Sequence, residues 1–228
     1  MLPSQTVENY LKTIYLAQSA AAAPDALVPM GHLSSALGVT PGTATTMMKT
    51  LAESGLVHYE PYMGVRLTAA GAKLATLVLR RHRLVELFLV KVLGMSWAEV
   101  HDEAERLEHA VSEALIERID EMLGRPAVDP HGDPIPTAEG TIAALPSLDL
   151  LSAPVGAALS VTRVIDQDPD FLRFIEQHDL MPGSTVTIET RDPMSDAVEV
   201  RAASGRLTTI GARAASKVLV RKAEEAGG

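Results

Sequence analysis

The stretch Leu33-Ser34-Ser35-Ala36-Leu37-Gly38-Val39-Thr40-Pro41-Gly42-Thr43-Ala44 decides how the N-terminal part of the chain folds. Met30 to Leu37 reads as a short helix and Gly38-Val39-Thr40 as a tight turn. Pro41, suited to a first helical turn, opens a second helix that runs to Ser54 and stops at Gly55. Leu33, Ala36, Leu37, Val39, Ala44, Met48 and Leu51 recur at the spacing that packs two short helices on each other. Just beyond, Leu56-Val57-His58-Tyr59 and Val65-Arg66-Leu67-Thr68 flank a turn containing Pro61 and Gly64, the pattern of a β-hairpin. A hairpin placed directly after a helix-turn-helix predicts a winged helix.

Working outward, Ser4 is placed to cap a helix running to about Ala23, with Val7, Tyr10, Leu11, Ile14 and Tyr15 as its apolar face and Pro24-Asp25 ending it. On the other side a long helix is expected from Ala70 to Leu93, stopped by Gly94. Ser96-Trp97-Ala98-Glu99 then reads as a capping box opening one further helix to Leu123-Gly124. Its surplus apolar residues, Leu115, Ile116, Ile119, Met122 and Leu123, predict packing against a second copy of the chain and hence a homodimer.

These two helices carry chemistry. At about 100° per residue, His101, Glu105, Glu108 and His109 share an arc roughly 100° wide. Beside it runs a buried stripe of Val100, Ala104, Leu107 and Val111. His82 and Glu86, one turn apart, form a matching pair. Imidazoles and carboxylates in register on facing helices are how helical proteins gather divalent metals, because each ligand binds weakly alone. The competing reading is a set of salt bridges on a solvated face.

Composition narrows the chemistry. At 228 residues, two units with separate cores are expected. With no cysteine, any metal must be held by nitrogen and oxygen. No run approaches membrane-spanning length and no basic, then apolar, leader opens the chain, so a cytoplasmic protein with no membrane partner is expected. The formal net charge of −9 excludes a protein that coats nucleic acid broadly, yet leaves room for a local DNA-binding face.

After Leu123 the composition turns to Pro, Gly and Asp, densest at Asp129-Pro130-His131-Gly132-Asp133-Pro134-Ile135-Pro136, which reads as turns and linker. His131 with Asp129 and Asp133 is a possible ligand cluster, weighed against ordinary turn chemistry, which is favoured. From Val155, strands are expected over Leu159–Val164, Thr185–Glu189, Ala197–Ala202 and Lys217–Val220, with a helix over Phe171–Gln177. This is the pattern of a small β-barrel.

The residues Glu8-Asn9-Tyr10-Leu11, Arg81-His82-Arg83-Leu84-Val85-Glu86, His101-Asp102-Glu103-Ala104-Glu105 with Glu108-His109, and Asp129 to Pro136 carry a resemblance. The chain resembles the diphtheria toxin repressor family of metal-dependent transcription regulators, and looks most like its manganese-responsive members. The resemblance implies a mainly α fold with β: a winged helix-turn-helix over 1–73, a helical metal-binding and dimerisation domain over 74–143, a linker over 144–154 and an SH3-like barrel over 155–228. It implies one metal site at His82, Glu86 and His101, closed by Gln167, Asp168 or Asp170, and a second at Glu105, Glu108 and His109, joined by Asn9. That makes two ions per subunit. Family members offer Met or Asp where this chain has Asn9, and a manganese-responsive member has Glu where it has Lys12, so the second set lacks an N-terminal anion. Lys12 offers only a cation if it points inward.

Glu105 stands where iron-responding members carry Cys, and exchanging a soft sulfur for a hard carboxylate favours Mn²⁺, although Fe²⁺ accepts the same donors. The expected function is a metal-dependent DNA-binding regulator, a repressor of metal-homeostasis genes acting on double-stranded operator DNA. Thr40, Gly42, Thr43 and Thr46 lie at the end of the second helix that reaches base edges, and Lys49 and Arg66 are placed for phosphates. The alternative is a winged-helix regulator answering a small organic ligand, with the His/Glu stripe structural. No catalytic residues are expected, because no His-Glu-x-x-His spacing occurs and the ligand set leaves no open position.

Overall fold

The computed structural model describes residues 4–21, 26–192, 194 and 196–223. The expected end of the first helix at Pro24-Asp25 lies outside them. The chain divides into two compact units, Met1–His82 with Glu108–Ala110 and Pro136–Ile142, and Arg83–Leu107 with Val111–Ile135 and Ala143–Gly228.

In the first unit, α1 (Gln5–Ala20) starts where Ser4 accepts from the Val7 amide, α2 (Met30–Ala36) is followed by Gly38 at φ 63°, and α3 (Pro41–Glu53) is capped by Thr40. The wing is β1 (Val57–Glu60) paired antiparallel with β2 (Gly64–Leu67). A single core of Tyr10, Leu11, Ile14, Leu33, Ala44, Met48, Leu51, Val57 and Val65 holds these elements together. Fully burying a side chain such as Leu11 or Met48 contributes roughly 1.5–3 kcal/mol. That is ample to dock short helices that would fray alone. Gly71, in the first turns of α4 (Ala69–Lys91), admits the Leu56 carbonyl so closely that a Cβ would sit 2.0 Å from its oxygen.

α4 runs through the boundary between the units. In the second unit its later turns pack Leu84, Val85, Leu87 and Leu89 against Val100 and Ala104 of α5 (Val100–Leu107) and Ile116 and Ile119 of α6 (Glu113–Met122). The one helix expected from Ser96 to Leu123 is therefore two. Ser112 accepts from the Leu115 amide and caps α6, so residues 108–112 form a turn. Ile116 and Ile119 are core residues, whereas Leu115 and Met122 are exposed.

The same unit carries a six-stranded antiparallel sheet in the order β3-β8-β4-β5-β6-β7. Its members are β3 (Leu148–Asp149), β4 (Ala158–Val164), β5 (Thr185–Asp192), β6 (Ala197–Ala202), β7 (Leu207–Gly211) and β8 (Val218–Lys222). Two helices accompany the sheet, α7 (Pro169–Gln177) and α8 (Ala212–Ala215). β3 and the buried Leu150 and Ala153 lie inside the stretch expected to be linker. The inward face of the sheet, with Leu172 and Ile175 of α7 and Trp97, forms its own core.

Burial along β4 runs Leu159, Val161, Val164, because the pairing with β8 slips between Val161 and Arg163. This bulge adds Thr162 to the strand and redirects Arg163. Among the described residues, no helix is long and apolar enough to cross a membrane.

Candidate metal centre and DNA-binding face

In the second unit the turn from Asp129 to Asp133 is built as a rigid support. Asp129 Oδ1 accepts from the backbone amides of His131 (2.8 Å) and Asp133 (2.9 Å), and the Val164 amide of β4 donates to the His131 carbonyl (2.9 Å). Gly132 has φ 86° and lies so near β4 that a Cβ would stand 2.0 Å from the Thr162 oxygen, so a side chain there is excluded. Arg163, turned by the bulge, pairs with Asp133. Arg83 donates to the Pro134 carbonyl (2.6 Å) and lies 3.6 Å from Asp133 Oδ1 and 3.8 Å from Asp129 Oδ2.

This support aims two donors at Glu86. His131 is fully buried, stacks on Trp97 with ring centroids 5.4 Å apart, and places Nε2 2.9 Å from the Trp97 carbonyl. Nε2 therefore carries the donated proton, and Nδ1 points 3.7 Å from Glu86 Oε2 with no hydrogen-bond partner. A backbone carbonyl fixing one imidazole nitrogen while the other faces a ligand position is the usual support of a metal-binding histidine. Asp129 Oδ2 is likewise buried without a hydrogen bond. One ligand atom each from Glu86, Asp129 and His131 lies within 4.8 Å of the others. Glu86 Oε1 lies 3.1 Å from His101 Nδ1, and His101 Nε2 is 3.7 Å from Glu105 Oε1.

Burial and the charges of Asp133 and Glu86 push the Asp129 carboxyl up to about 7. Burial would lower His131, but its interactions with Glu86 and Asp129 outweigh that and raise it. An oxygen-rich set with one or two imidazoles suits Mn²⁺ or Fe²⁺, so the residues present fit the ion.

Gln167 donates to Asp133 (3.1 Å), whereas Asp168 caps α7 and Asp170 pairs with Arg173. Among the described residues, neither Asp168 nor Asp170 joins a group of converging ligand atoms. Glu108 and His109 lie in the turn after α5, in the first unit with His82 and α1. There Glu108 Oε2 is 2.6 Å from His82 Nδ1 and Oε1 accepts from Lys12 Nζ (2.6 Å). His109 contacts Glu8 Oε2 (2.5 Å) and Asn9 Oδ1 (2.7 Å), and Arg81 donates to Glu8 Oε1 (2.6 Å). Burial would raise Glu108, but the His82 hydrogen bond and the Lys12 charge hold it below the usual carboxylate range. Lys12 does point inward.

Asp129 and His131, read from sequence chiefly as turn residues, converge with Glu86. The available signal was a histidine between two acids in a turn stiffened by Pro and Gly. The pairing of Glu8 with Arg81 gave no signal, since it spans 73 positions.

On the winged helix, Thr40, Gly42, Thr43, Thr46 and Lys49 are exposed along the start and outer face of α3, and Arg66 is half-buried on the wing. The Thr40 and Thr43 hydroxyls are 2.9 Å apart, and Thr46 donates to the Gly42 carbonyl. Tyr62, at the wing tip with φ 66°, is fully exposed.

Comparison with known proteins identifies what the pieces make together. The iron-dependent repressor IdeR of Mycobacterium tuberculosis is 31% identical over 198 residues, covering 81% of this chain and 84% of that protein. The chain belongs to the iron-dependent repressor family. Residues 3–65 match the family's N-terminal DNA binding domain, 68–137 its metal binding and dimerisation domain, and 148–222 the FeoA domain, here the SH3-like sheet. The diphtheria toxin repressor of Corynebacterium efficiens is 34% identical over 132 residues, 58% of this chain and 55% of that protein. Among solved structures, a manganese-dependent transcriptional repressor in complex with manganese is 39% identical, covers 95% of this chain and all of that one, and has a TM-score of 0.87. As a member of this iron-dependent repressor family, the chain is a metal-dependent DNA-binding transcriptional regulator, not a regulator answering an organic ligand.

Proposed function

We propose that the protein is a Mn²⁺-responsive repressor, able to accept Fe²⁺, that binds operator DNA as a homodimer in the cytoplasm and governs metal-homeostasis genes. The observation that carries this reading is the buried convergence of Glu86, Asp129 and His131 in a domain of metal-binding descent. We assign the ion to these three residues with His101 on the other oxygen of Glu86, and assign His82 to Glu108. When bound, the ion supplies a divalent charge that neutralises Glu86 and Asp129. His131 offers Nδ1 once its proton leaves, Trp97 keeps the ring oriented, and Arg83 and Arg163 hold the turn through Asp133. Hard oxygen donors without cysteine favour Mn²⁺ and Fe²⁺ over softer ions.

At the other end of the function, α3 presents threonine hydroxyls and methyls to base edges, so preference per base pair is modest, and Lys49 and Arg66 take phosphates. Exposed Leu115 and Met122 on α6 supply apolar surface for the second subunit. The reading is tested by binding to DNA from the protein's own promoter with Mn²⁺, Fe²⁺ or chelator. Retardation that requires the ion is expected. Equal binding in chelator would favour a regulator whose His/Glu groups are only structural.

A further inference from the structure

We propose that the ammonium of Lys12 takes the place of a second divalent ion, so that α1 is fastened to the Glu108–His109 turn by a built-in cation and each subunit binds a single metal. This rests on the assignment of that metal to Glu86, Asp129 and His131. All members of the Lys12 cluster belong to the first unit.

Glu108 and His109, the two groups of this unit that would be offered to an ion there, are already engaged. Glu108, with no exposed surface, accepts Lys12 on one oxygen and faces His82 with the other. Both nitrogens of His109 are within 2.7 Å of partners on α1, Glu8 and Asn9, and Nε2 is 3.2 Å from Glu108 Oε1. Lysine is almost never this buried unless paired, and here 7% of Lys12 is exposed, so its stem has not carried the charge out to water.

The charges also balance. Glu8 and Glu108 stand against Lys12 and Arg81, and any proton on His82 or His109 adds further positive charge. A divalent ion placed on Glu108 would meet an ammonium within direct contact distance in a site with little water to screen it, and would leave the cluster strongly positive. Glu108 and His109 therefore do not fit an ion while Lys12 is present. What an ion would do at this place, joining α1 to the turn after α5, the ammonium does permanently. The metal response is then confined to the centre around Glu86.

The test counts Mn²⁺ bound per full-length chain at equilibrium and follows thermal unfolding with and without Mn²⁺. Wild type is expected to hold about one ion, Lys12→Glu about two, and Glu86→Gln none. Lys12→Glu brings three carboxylates together, so its melting temperature should fall in chelator and recover with Mn²⁺ in the micromolar range, by more than wild type gains. Lys12→Met serves as a second variant, expected to be less stable than wild type in chelator because it leaves Glu108 without its cation. Two ions in wild type, one of them surviving Glu86→Gln, would overturn the Lys12 inference alone. No ion in wild type would overturn the metal reading and this inference with it. A Lys12→Glu protein that still binds one ion and gains no extra stability from Mn²⁺ would also overturn the inference.

Discussion

At Asp129 burial and neighbouring charge decide when a single carboxyl gives up its proton. Its proton is held up to about 7, far above the ordinary 3.8, because the group is buried beside Asp133 and Glu86. The folded chain then keeps a proton that the unfolded chain loses near pH 4, so this group's contribution to stability falls as pH rises from about 4 to about 7. His131, also raised, works in the same direction. Asp129→Asn removes the titration without changing shape. In chelator it should gain on wild type as pH rises through that window, by up to about 1.4 kcal/mol per pH unit. Thermal melts of both proteins across the window check this, and a gap that does not change with pH would contradict it. These residues were hard to read because a turn sequence does not disclose burial. Asp129 and His131 acquire their chemistry only from Glu86, more than forty positions earlier on α4, and from the Trp97 carbonyl. The pairing of His101 with Glu105 was legible, since helical spacing alone puts them on one face of α5.

Among the elements, the short ones with strong punctuation were read correctly. Thr40 with Pro41, Gly38 and Gly55 fixed the limits of α2 and α3, and the Pro/Gly turn gave the wing. The long helix expected after Ser96 failed for the opposite reason. Val100, Ala104, Leu107 and Val111 keep a helical period across a turn that the chain does not continue, and the stop is visible only as the cap at Ser112. That break leaves Glu108 and His109 in the turn after α5 rather than on a continuing helix. β7 escaped notice because its inward residues are Thr208 and Ile210, a weak alternation on an edge strand. The turn at Gly132 is the element on which the centre depends. Gly132→Ala meets both a φ of 86° and the Thr162 carbonyl. It should cost about 1–3 kcal/mol or more, read as a lower melting temperature, together with weaker Mn²⁺ binding. Wild-type values for both would show that the turn can yield.

For the whole molecule, the proposed metal acts on regulation through one buried centre, while a lysine performs the cationic task at the other candidate position. The winged helix carries few charges of either sign, with Lys12, Lys49, Arg66 and Lys73 against Glu8, Asp25, Glu53 and Glu60, so the excess acid lies beyond it. A protein of net charge −9 has little unspecific attraction for DNA, and its affinity has to come from geometry that the ion sets. Fold and family were legible in the sequence because winged-helix punctuation, His/Glu spacing and the run of short strands agree with one another. The number of ions was not, since it turns on where one lysine points. The most direct measurement is operator affinity by fluorescence anisotropy as Mn²⁺ is titrated into wild type and Glu86→Gln, with circular dichroism confirming that the variant is folded. Wild type should tighten on the operator as Mn²⁺ saturates, and Glu86→Gln should need at least about 10-fold more Mn²⁺ or fail to respond. A folded Glu86→Gln protein with the wild-type Mn²⁺ response would contradict the account.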